Sequence, residues 1–211
     1  MLTVHHLGIS QSERIVWLCE ELGIPYALKL YARRADNRLA PDEYKALHPM
    51  GIAPVITDGD FVLGESGAIC EYISAKYGKG GLTPKPGDPD YADHLFWFHW
   101  SNGTFMATLM MQLVLNAGGE GNLAAPFVDG RSNAGWAMVE ARLAEKPFFG
   151  GENLTLADIM MVYCLTTSRA FRGTSLEAYP NIRAYLARIG ERPAYQTAMA
   201  KCEPGMPLML S

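Results

Sequence analysis

Residues 53–67 carry the sequence Ala53-Pro54-Val55-Ile56-Thr57-Asp58-Gly59-Asp60-Phe61-Val62-Leu63-Gly64-Glu65-Ser66-Gly67. Two short apolar runs, 55–57 and 61–63, are separated by Asp58-Gly59-Asp60, which is a hairpin signal because glycine adopts a positive φ without steric cost. The proline directly before the first run is a candidate for a cis peptide bond. After the second run, Ser66 opens an apolar pattern of helical period. The stretch therefore predicts a β-hairpin followed by a helix.

The residues before this hairpin predict alternating strands and helices. Leu2, Val4 and His6 share one face of a first strand, and Gly23 ends the apolar helical stripe that follows it. The predicted elements are strands at 2–6 and 26–30 and helices at about 10–22 and 41–47. With the hairpin and its helix, the order is β-α-β-α-β-β-α, which is the thioredoxin-like arrangement.

The rest of the chain predicts a linker and a helical domain. Residues 78–89 hold three prolines and four glycines, a composition that supports neither helix nor strand. We predict an α/β thioredoxin-like domain at 1–78, a linker at 79–89 and an all-α domain at 90–211. Helices are expected in that last domain at about 91–116, 126–146, 156–170, 176–190 and 193–201.

Charge and composition exclude several classes of protein. The hydrophobic fraction of 49% and the charged fraction of 19% are typical of a globular chain with a core. The net charge is −4, and no basic stretch exceeds Arg33-Arg34. Binding to nucleic acid needs a basic face that neutralises phosphates, so no nucleic-acid partner is expected.

The cysteines and the N-terminus predict the compartment. The chain shows neither a signal-peptide pattern nor an apolar run of membrane-spanning length, so no membrane partner is expected. Four cysteines are isolated from one another, and none has metal-ligand spacing: Cys19, Cys70, Cys164 and Cys202. Buried free thiols, no bound metal and a cytoplasmic location are therefore expected.

The segment Ser10-Gln11-Ser12-Glu13 stands at the predicted start of the first long helix. Serine followed three residues later by glutamate is a capping box, and a purely structural cap needs no further role. The same helix start offers unpaired N–H groups and a positive dipole end, which favour an anion. A hydroxyl there can donate a hydrogen bond to a thiolate, with Ser12 as an alternative donor to Ser10.

Two further segments have both a structural and a binding interpretation. A cis bond at Ala53-Pro54 would turn the main-chain N–H and C=O of Ala53 outward, where an extended peptide can pair with them. The alternative is an ordinary proline at a strand start. Glu65 and Ser66 place a carboxylate and a hydroxyl at a helix start, which suits a zwitterion with an ammonium and a carboxylate. The alternative is another helix cap.

In this order, the segments resemble the glutathione-binding domain of cytosolic glutathione transferases of the serine type, as in bacterial and theta-like members. The resemblance is carried by residues 10–14, 20–26, 53–55, 65–69 and 149–158. In the last of these, Thr155-x-x-Asp158 is similar to a structural capping motif of that family's helical domain. The resemblance implies an enzyme that attacks a hydrophobic electrophile with the thiolate of glutathione, its co-substrate, and that needs no metal.

The resemblance also implies roles for particular residues. Ser10 is the expected catalytic residue, because it stands where relatives have Tyr, Ser or Cys. Glutathione is expected to contact Ala53, Pro54, Glu65 and Ser66, with its γ-glutamyl end at the last two.

The chain departs from the family pattern at one position. Many relatives have a basic residue two positions before the cis-proline, where this chain has Ile52. Arg38 is expected to supply the missing charge to the glycine carboxylate of glutathione. The sequence leaves Arg33, Arg34 and His48 open as alternatives.

The hydrophobic electrophile is expected in a cleft between the domains. Its predicted neighbours are Ile9, Ser101, Asn102 and Phe105. Gly103, in the middle of a predicted helix, costs about 1 kcal/mol relative to alanine, so it indicates either that cleft or a close helix crossing.

The function has alternatives within the same fold. They are a glutathione-dependent lyase, dehalogenase or peroxidase, and a non-catalytic protein that binds glutathione or a hydrophobic ligand. A homodimer is predicted from the family and from aromatic residues near the linker: Tyr72, Tyr77, Phe96, Trp97 and Trp100. The alternative is that these residues all pack within one chain.

Overall fold

A computed structural model describes residues 1–119 and 122–211. The contacts divide the chain into two units, Met1–Thr83 with Ile189–Met209, and Pro84–Arg188 with Leu210–Ser211. The first boundary falls inside the predicted linker, and residues 79–89 contain neither helix nor strand. Because Ile189–Met209 packs with the N-terminal residues, the packing units do not follow chain order as the predicted domains do.

A mixed four-stranded sheet forms the centre of the first unit. Its strands are β1 (Leu2–Leu7), β2 (Ala27–Tyr31), β3 (Val55–Asp58) and β4 (Phe61–Gly64), in the spatial order β2-β1-β3-β4. β1 runs parallel to β2 and antiparallel to β3, and β3 and β4 form the predicted hairpin, with Gly59 at φ 62° in the turn.

Three helices complete the predicted order in this unit. They are α1 (Glu13–Leu22), α2 (Asp42–Lys45) and α3 (Ser66–Lys76). Ile15, Leu18 and Cys19 of α1 are fully buried, as the apolar stripe predicts, and Gly23 ends the helix at φ 60°. The thioredoxin-like order β-α-β-α-β-β-α is confirmed.

The predicted capping box at Ser10 is wrong. α1 begins at Glu13, and its N-cap residue Ser12 makes no side-chain capping hydrogen bond. The Glu13 N–H donates to the main-chain oxygen of Ser10 at 3.2 Å. The Ser10 hydroxyl oxygen instead accepts from the Ser12 N–H. The helix therefore begins at Glu13, whereas the sequence pattern predicts a start at about residue 10.

The remaining helices follow the predicted all-α pattern. They are α4 (Tyr91–Trp100), α5 (Ala107–Ala117), α6 (Ala125–Glu145), α7 (Leu156–Leu165), α8 (Pro180–Gly190) and α9 (Pro193–Cys202). α7 ends earlier than predicted, because a 3₁₀ segment, Thr167–Phe171, follows it. α8 begins later than predicted, at Pro180, whose fixed φ suits a first helical turn.

The single helix predicted at 91–116 is interrupted. A π-helical segment, Ser101–Met106, lies between α4 and α5 and contains Gly103. A Cβ atom added at Gly103 would meet no atom of the described residues within 4 Å. A close helix crossing is therefore not the reason for this glycine, and that interpretation is wrong.

The predicted capping pair before α7 is confirmed. The Thr155 hydroxyl accepts from the Ala157 N–H at 3.2 Å, and the Asp158 carboxylate accepts from the Thr155 N–H at 2.8 Å. The same carboxylate accepts from the Phe149 N–H and the Tyr185 hydroxyl. Burial raises the pKa of Asp158 to about 6, although all these donors favour the carboxylate. The pair therefore joins α7, α8 and the preceding loop.

All four cysteines are buried free thiols, as expected. Burial raises the pKa of the Cys70 thiol to about 12, so this thiol stays protonated at neutral pH. None of the helices that the structure describes combines the length and the apolar character needed to cross a bilayer.

Candidate functional site

The loop between β1 and α1 has an unusual main-chain conformation. Ile9 has φ 53°, a left-handed conformation that β-branched residues rarely adopt. The Arg33 guanidinium donates to the main-chain oxygens of Gly8 and Ile9, at 2.7 and 3.0 Å. The Ile9 N–H donates to the carboxylate of Glu203. The loop is thus held from both sides directly before Ser10.

Ser10 is the first member of a buried chain of hydrogen bonds. Its hydroxyl lies 2.7 Å from that of Ser12, and the Ser12 hydroxyl lies 2.9 Å from Nδ1 of His6. Nε2 of His6 lies 3.0 Å from a carboxylate oxygen of Glu203. All four side chains are less than one-tenth exposed. Glu203 directly follows α9, so these hydrogen bonds connect the N-terminal strand with the C-terminal part of the sequence within the first unit.

The two serines differ in what their hydroxyls can still bind. The Ser12 hydroxyl contacts the Leu7 N–H at 3.1 Å in addition to His6 and Ser10, whereas the Leu7 main-chain oxygen is farther away, at 3.5 Å. A hydroxyl has one proton and two acceptor positions, so these three partners occupy Ser12 completely. Ser10 is the outer serine and is slightly exposed, at 5%. This geometry favours Ser10 over Ser12 as a group that contacts a ligand.

The peptide bond between Ala53 and Pro54 is cis, as predicted. Ala53 is half-buried against the apolar cluster of Leu7, Tyr31, Ala40, Tyr44 and Val55. Within the described residues, neither the N–H nor the C=O of Ala53 has a hydrogen-bond partner. These main-chain groups are therefore available to an extended peptide.

Glu65 and Ser66 stand at the start of α3, as predicted. Glu65 is exposed and has φ 67°, a conformation that non-glycine residues adopt infrequently. Ser66 is 1% exposed, and its hydroxyl accepts from the Arg14 guanidinium at 3.2 Å. The same nitrogen of Arg14 also donates to Gln11. Arg14 therefore joins the start of α3 to the start of α1.

The strand register brings these segments to one end of the sheet. His5 of β1 pairs with Val55 of β3, and Val55 pairs with Gly64 of β4. Ser10 follows β1, the cis-proline precedes β3 and Glu65 follows β4, so all three segments leave the sheet at this end.

The four candidate basic residues have different partners. Arg33 binds the Gly8–Ile9 loop, and Arg34 forms an ion pair with Asp36. Nδ1 of His48 accepts from the Met50 N–H. The exposed side chain of Arg38 has no hydrogen bond or ion pair within the described residues. This distribution favours Arg38 as the group still able to bind an anion.

The predicted neighbours of the electrophile differ in exposure. Ser101 is fully buried and donates to the Phe98 main-chain oxygen at 2.8 Å, whereas Asn102 and Ile9 are half-buried. Phe105 is 1% exposed and stacks on Trp100. It also lines a cavity of about 380 Å³ within the second unit, together with Trp100, Thr104, Thr108, Arg131, Ala134, Gly135 and Met138. The structure thus places Phe105 at a cavity wall.

Sequence reasoning missed His6, Glu203 and Arg14 as parts of the site. It considered Arg33 only as an anion-binding group, whereas Arg33 holds the Gly8–Ile9 loop. The sequence pattern placed His6 only on the strand face that it shares with Leu2 and Val4. No local pattern connects His6 with Glu203, because 197 positions separate them. Across the two described ranges, no group of three or more His, Cys, Asp or Glu side chains is placed to hold a metal ion.

Known proteins similar to this chain are glutathione transferases. The family model "Glutathione S-transferase, N-terminal domain" matches residues 10–76, and "Glutathione S-transferase, C-terminal domain" matches residues 128–193. Glutathione S-transferase 3 of Schizosaccharomyces pombe is 32% identical over 96% of this chain and 88% of its own length.

Solved structures similar to this chain are also glutathione transferases. A glutathione S-transferase from Actinobacillus pleuropneumoniae is 35% identical, with a TM-score of 0.88 over 96% of this chain and 93% of its own. A theta-class enzyme from Xanthomonas axonopodis pv. citri, with glutathione bound, is 26% identical, with a TM-score of 0.71 over 93% of this chain and 96% of its own. The chain therefore belongs to the glutathione S-transferase family and is a transferase that uses glutathione as its co-substrate.

Proposed function

We propose that glutathione binds at the end of the sheet where Ser10, Ala53 and Glu65 leave it, and that Ser10 stabilises its thiolate. The observation that carries this proposal is the convergence of these three segments through the register of β1, β3 and β4. The thiolate then attacks an electrophilic carbon of a hydrophobic substrate. A thiol with a pKa near ~8.5 is mostly protonated at neutral pH, so a donor that favours the thiolate raises the reactive fraction.

The peptide part of glutathione is assigned to the groups around Ser10. The free N–H and C=O of Ala53, beside the cis Pro54, pair with its cysteinyl residue as an added strand. The exposed carboxylate of Glu65 binds the γ-glutamyl ammonium, and Ser66 with the start of α3 binds the γ-glutamyl carboxylate. Arg38 binds the glycine carboxylate, because its guanidinium has no competing partner within the described residues.

Replacing Glu65 with glutamine is expected to weaken glutathione binding by about 1–2 kcal/mol, the range for a hydrogen bond to a charged group. Ser66→Ala is expected to weaken glutathione binding by a similar amount. It also removes an acceptor of the buried Arg14 guanidinium. Isothermal calorimetry measures both dissociation constants. Glu71→Gln, which removes an exposed carboxylate on the same helix, is the matched control. Unchanged affinity in both site variants would contradict the assignment.

The electrophile is proposed to contact Asn102 and Phe105, of which Phe105 lines the cavity of the second unit. The predicted contact with Ser101 is not retained, because its side chain is fully buried. A panel of aryl halides, epoxides, peroxides and aryl ethers identifies the chemistry by the product formed with glutathione. Retention on glutathione-agarose without any product would instead indicate a binding protein.

A homodimer is proposed, with Phe96 at its interface. Phe96 is 49% exposed on α4, whereas Trp97 of the same aromatic set is buried. Light scattering at micromolar concentration is expected to give twice the 23.2 kDa of one chain. Phe96→Glu is expected to shift the mass toward one chain, because a buried charge is costly. Val114→Glu, at an exposed apolar position of α5, is the control, and a monomeric wild type would reject the dimer.

The cytoplasm is proposed as the location. The four buried cysteines form no disulfide, which suits a reducing compartment. Cell fractionation followed by detection of the chain tests this, and recovery from an oxidising compartment would contradict it.

A further inference from the structure

We propose that His6, paired with Glu203, accepts the proton that leaves the glutathione thiol, through Ser12 and Ser10. We call Ser10, Ser12, His6 and Glu203 the proton relay. The inference rests on the proposed role of Ser10 at the thiol. It adds the destination of the proton, which a serine hydroxyl alone cannot supply, because a hydroxyl that takes up a proton must pass another one on.

The hydrogen-bond partners determine the direction of each bond when His6 is neutral. The Glu203 carboxylate only accepts, so Nε2 of His6 carries the proton and Nδ1 is the acceptor. The Ser12 hydroxyl therefore donates to Nδ1. Its two acceptor positions then receive the Leu7 N–H and the Ser10 hydroxyl. Ser10 already accepts from the Ser12 N–H, and its second acceptor position remains for the thiol proton.

The transfer balances along these bonds. The thiol proton passes to the oxygen of Ser10, the former Ser10 proton passes to Ser12, and the former Ser12 proton passes to Nδ1 of His6. The S–H bond breaks and an N–H bond forms, so the products are a glutathione thiolate and an imidazolium. The three bonds along this path then point the opposite way, so the Ser10 hydroxyl donates to the thiolate, while Nε2 of His6 still donates to Glu203. Glu203 stabilises the imidazolium, as an acidic partner does in acid–histidine–serine arrangements.

The surroundings of the relay contain few competing groups. His6 is 1% exposed and Glu203 8%. Among the titratable groups on the adjoining elements, Glu13 of α1 and Glu203 both lie near Cys202 of α9. The Arg33 guanidinium binds the main chain of the Gly8–Ile9 loop. Burial, with help from nearby carboxylates, raises the pKa of the Cys202 thiol well above its ordinary range, so this thiol does not take part.

The neighbouring histidine provides an internal comparison. His5 is also buried on β1, and its ring nitrogens contact Tyr31 and Thr57 at 2.9 and 3.1 Å. Successive strand residues point to opposite faces, so His5 belongs to a separate network. A variant at His5 therefore perturbs the same strand without touching the relay.

The test compares His6→Gln, Ser12→Ala and the double variant with the wild type and with the control His5→Gln. The absorbance of bound glutathione thiolate is titrated in the far ultraviolet, and kcat and the dissociation constant of glutathione are measured separately. Both single variants are expected to raise the midpoint of the thiol by about one pH unit and to lower kcat about tenfold at neutral pH. Affinity should change less than about twofold, since the relay does not contact the peptide part. The double variant should match the single ones, because both remove the same path.

Glu203→Gln keeps the test decisive if a histidine variant fails to fold. His6 and Ile9 both bond to the same oxygen, Oε1, of Glu203, so an amide retains both contacts and removes only the charge. A raised thiol midpoint in Glu203→Gln supports the relay. The relay would be overturned if Glu203→Gln and any folded variant of His6 keep the wild-type midpoint while Ser10→Ala raises it. The proposed function would then remain intact. A wild-type midpoint in Ser10→Ala itself would reject the proposed function.

Discussion

Replacing Ser10 with alanine is expected to lower turnover about tenfold or more while changing glutathione affinity little. The hydroxyl favours the thiolate over the thiol and does not hold the peptide part, so the loss appears in the chemical step. A stabilisation of two pKa units corresponds to roughly 2.7 kcal/mol, which is the order of one charge-assisted hydrogen bond with a helix end. The neighbouring Ser12 does not replace Ser10, because its side chain is fully buried and its hydroxyl still bonds to His6 and to the Leu7 N–H.

The measurement is a titration of thiolate absorbance together with steady-state kinetics. Ser10→Thr retains a hydroxyl and should recover part of the turnover. Ser74→Ala, which removes a buried serine hydroxyl bonded to the Gly81 main-chain oxygen, controls for the loss of a buried hydrogen bond. An unchanged midpoint in Ser10→Ala would mean that Ser10 only shapes the turn before α1.

Asp158→Ala is expected to lower the free energy of unfolding by about 3–5 kcal/mol. The carboxylate is fully buried and accepts from the main-chain N–H groups of Phe149 and Thr155 and from the Tyr185 hydroxyl. Alanine leaves these buried donors without an acceptor, and each one costs about 1–3 kcal/mol. Thr155→Ala removes only a helix cap and should cost about 1 kcal/mol.

Urea unfolding followed by circular dichroism measures these differences. The control is Glu152→Ala, since Glu152 is an exposed partner of Lys146 and such a pair contributes at most about 1 kcal/mol. Folded Asp158→Ala should still bind glutathione with wild-type affinity, because its role is structural. A loss of stability no greater than that of Thr155→Ala would show that water or other side chains satisfy the abandoned donors.

Local chemistry explains why much of the site could be predicted. The Asp58-Gly59-Asp60 turn and the Thr155-x-x-Asp158 pair depend on groups within four positions, so their patterns were sufficient. The proline before β3 is cis, and Glu65 and Ser66 stand at a helix start, as the sequence predicted. For the turn and the capping pair, the backbone preference and the hydrogen-bond partners lie in the same short segment.

The errors arose where one local pattern fits more than one structure. The Ser10–Glu13 pattern has the spacing of a capping box, but the Ser10 hydroxyl bonds to that of Ser12, which bonds to His6, and α1 begins later. Gly103 suggested a close crossing, whereas the structure has a π-helical segment with open space there. Helix propensity and hydrophobic periodicity depend on a residue's own segment. They do not include the other groups that compete for its hydrogen bonds.

By itself, the sequence determined the order of the elements, the hairpin and the capped start of α7, because each depends on short-range patterns. The tertiary structure alone decided which of the two serines lies outermost. It likewise decided which of the four candidate basic residues has no side-chain partner within the described residues. It also decided that Glu203 reaches His6 across 197 positions. Such contacts depend on how β1 and the residues after α9 pack together, and no local preference encodes that packing.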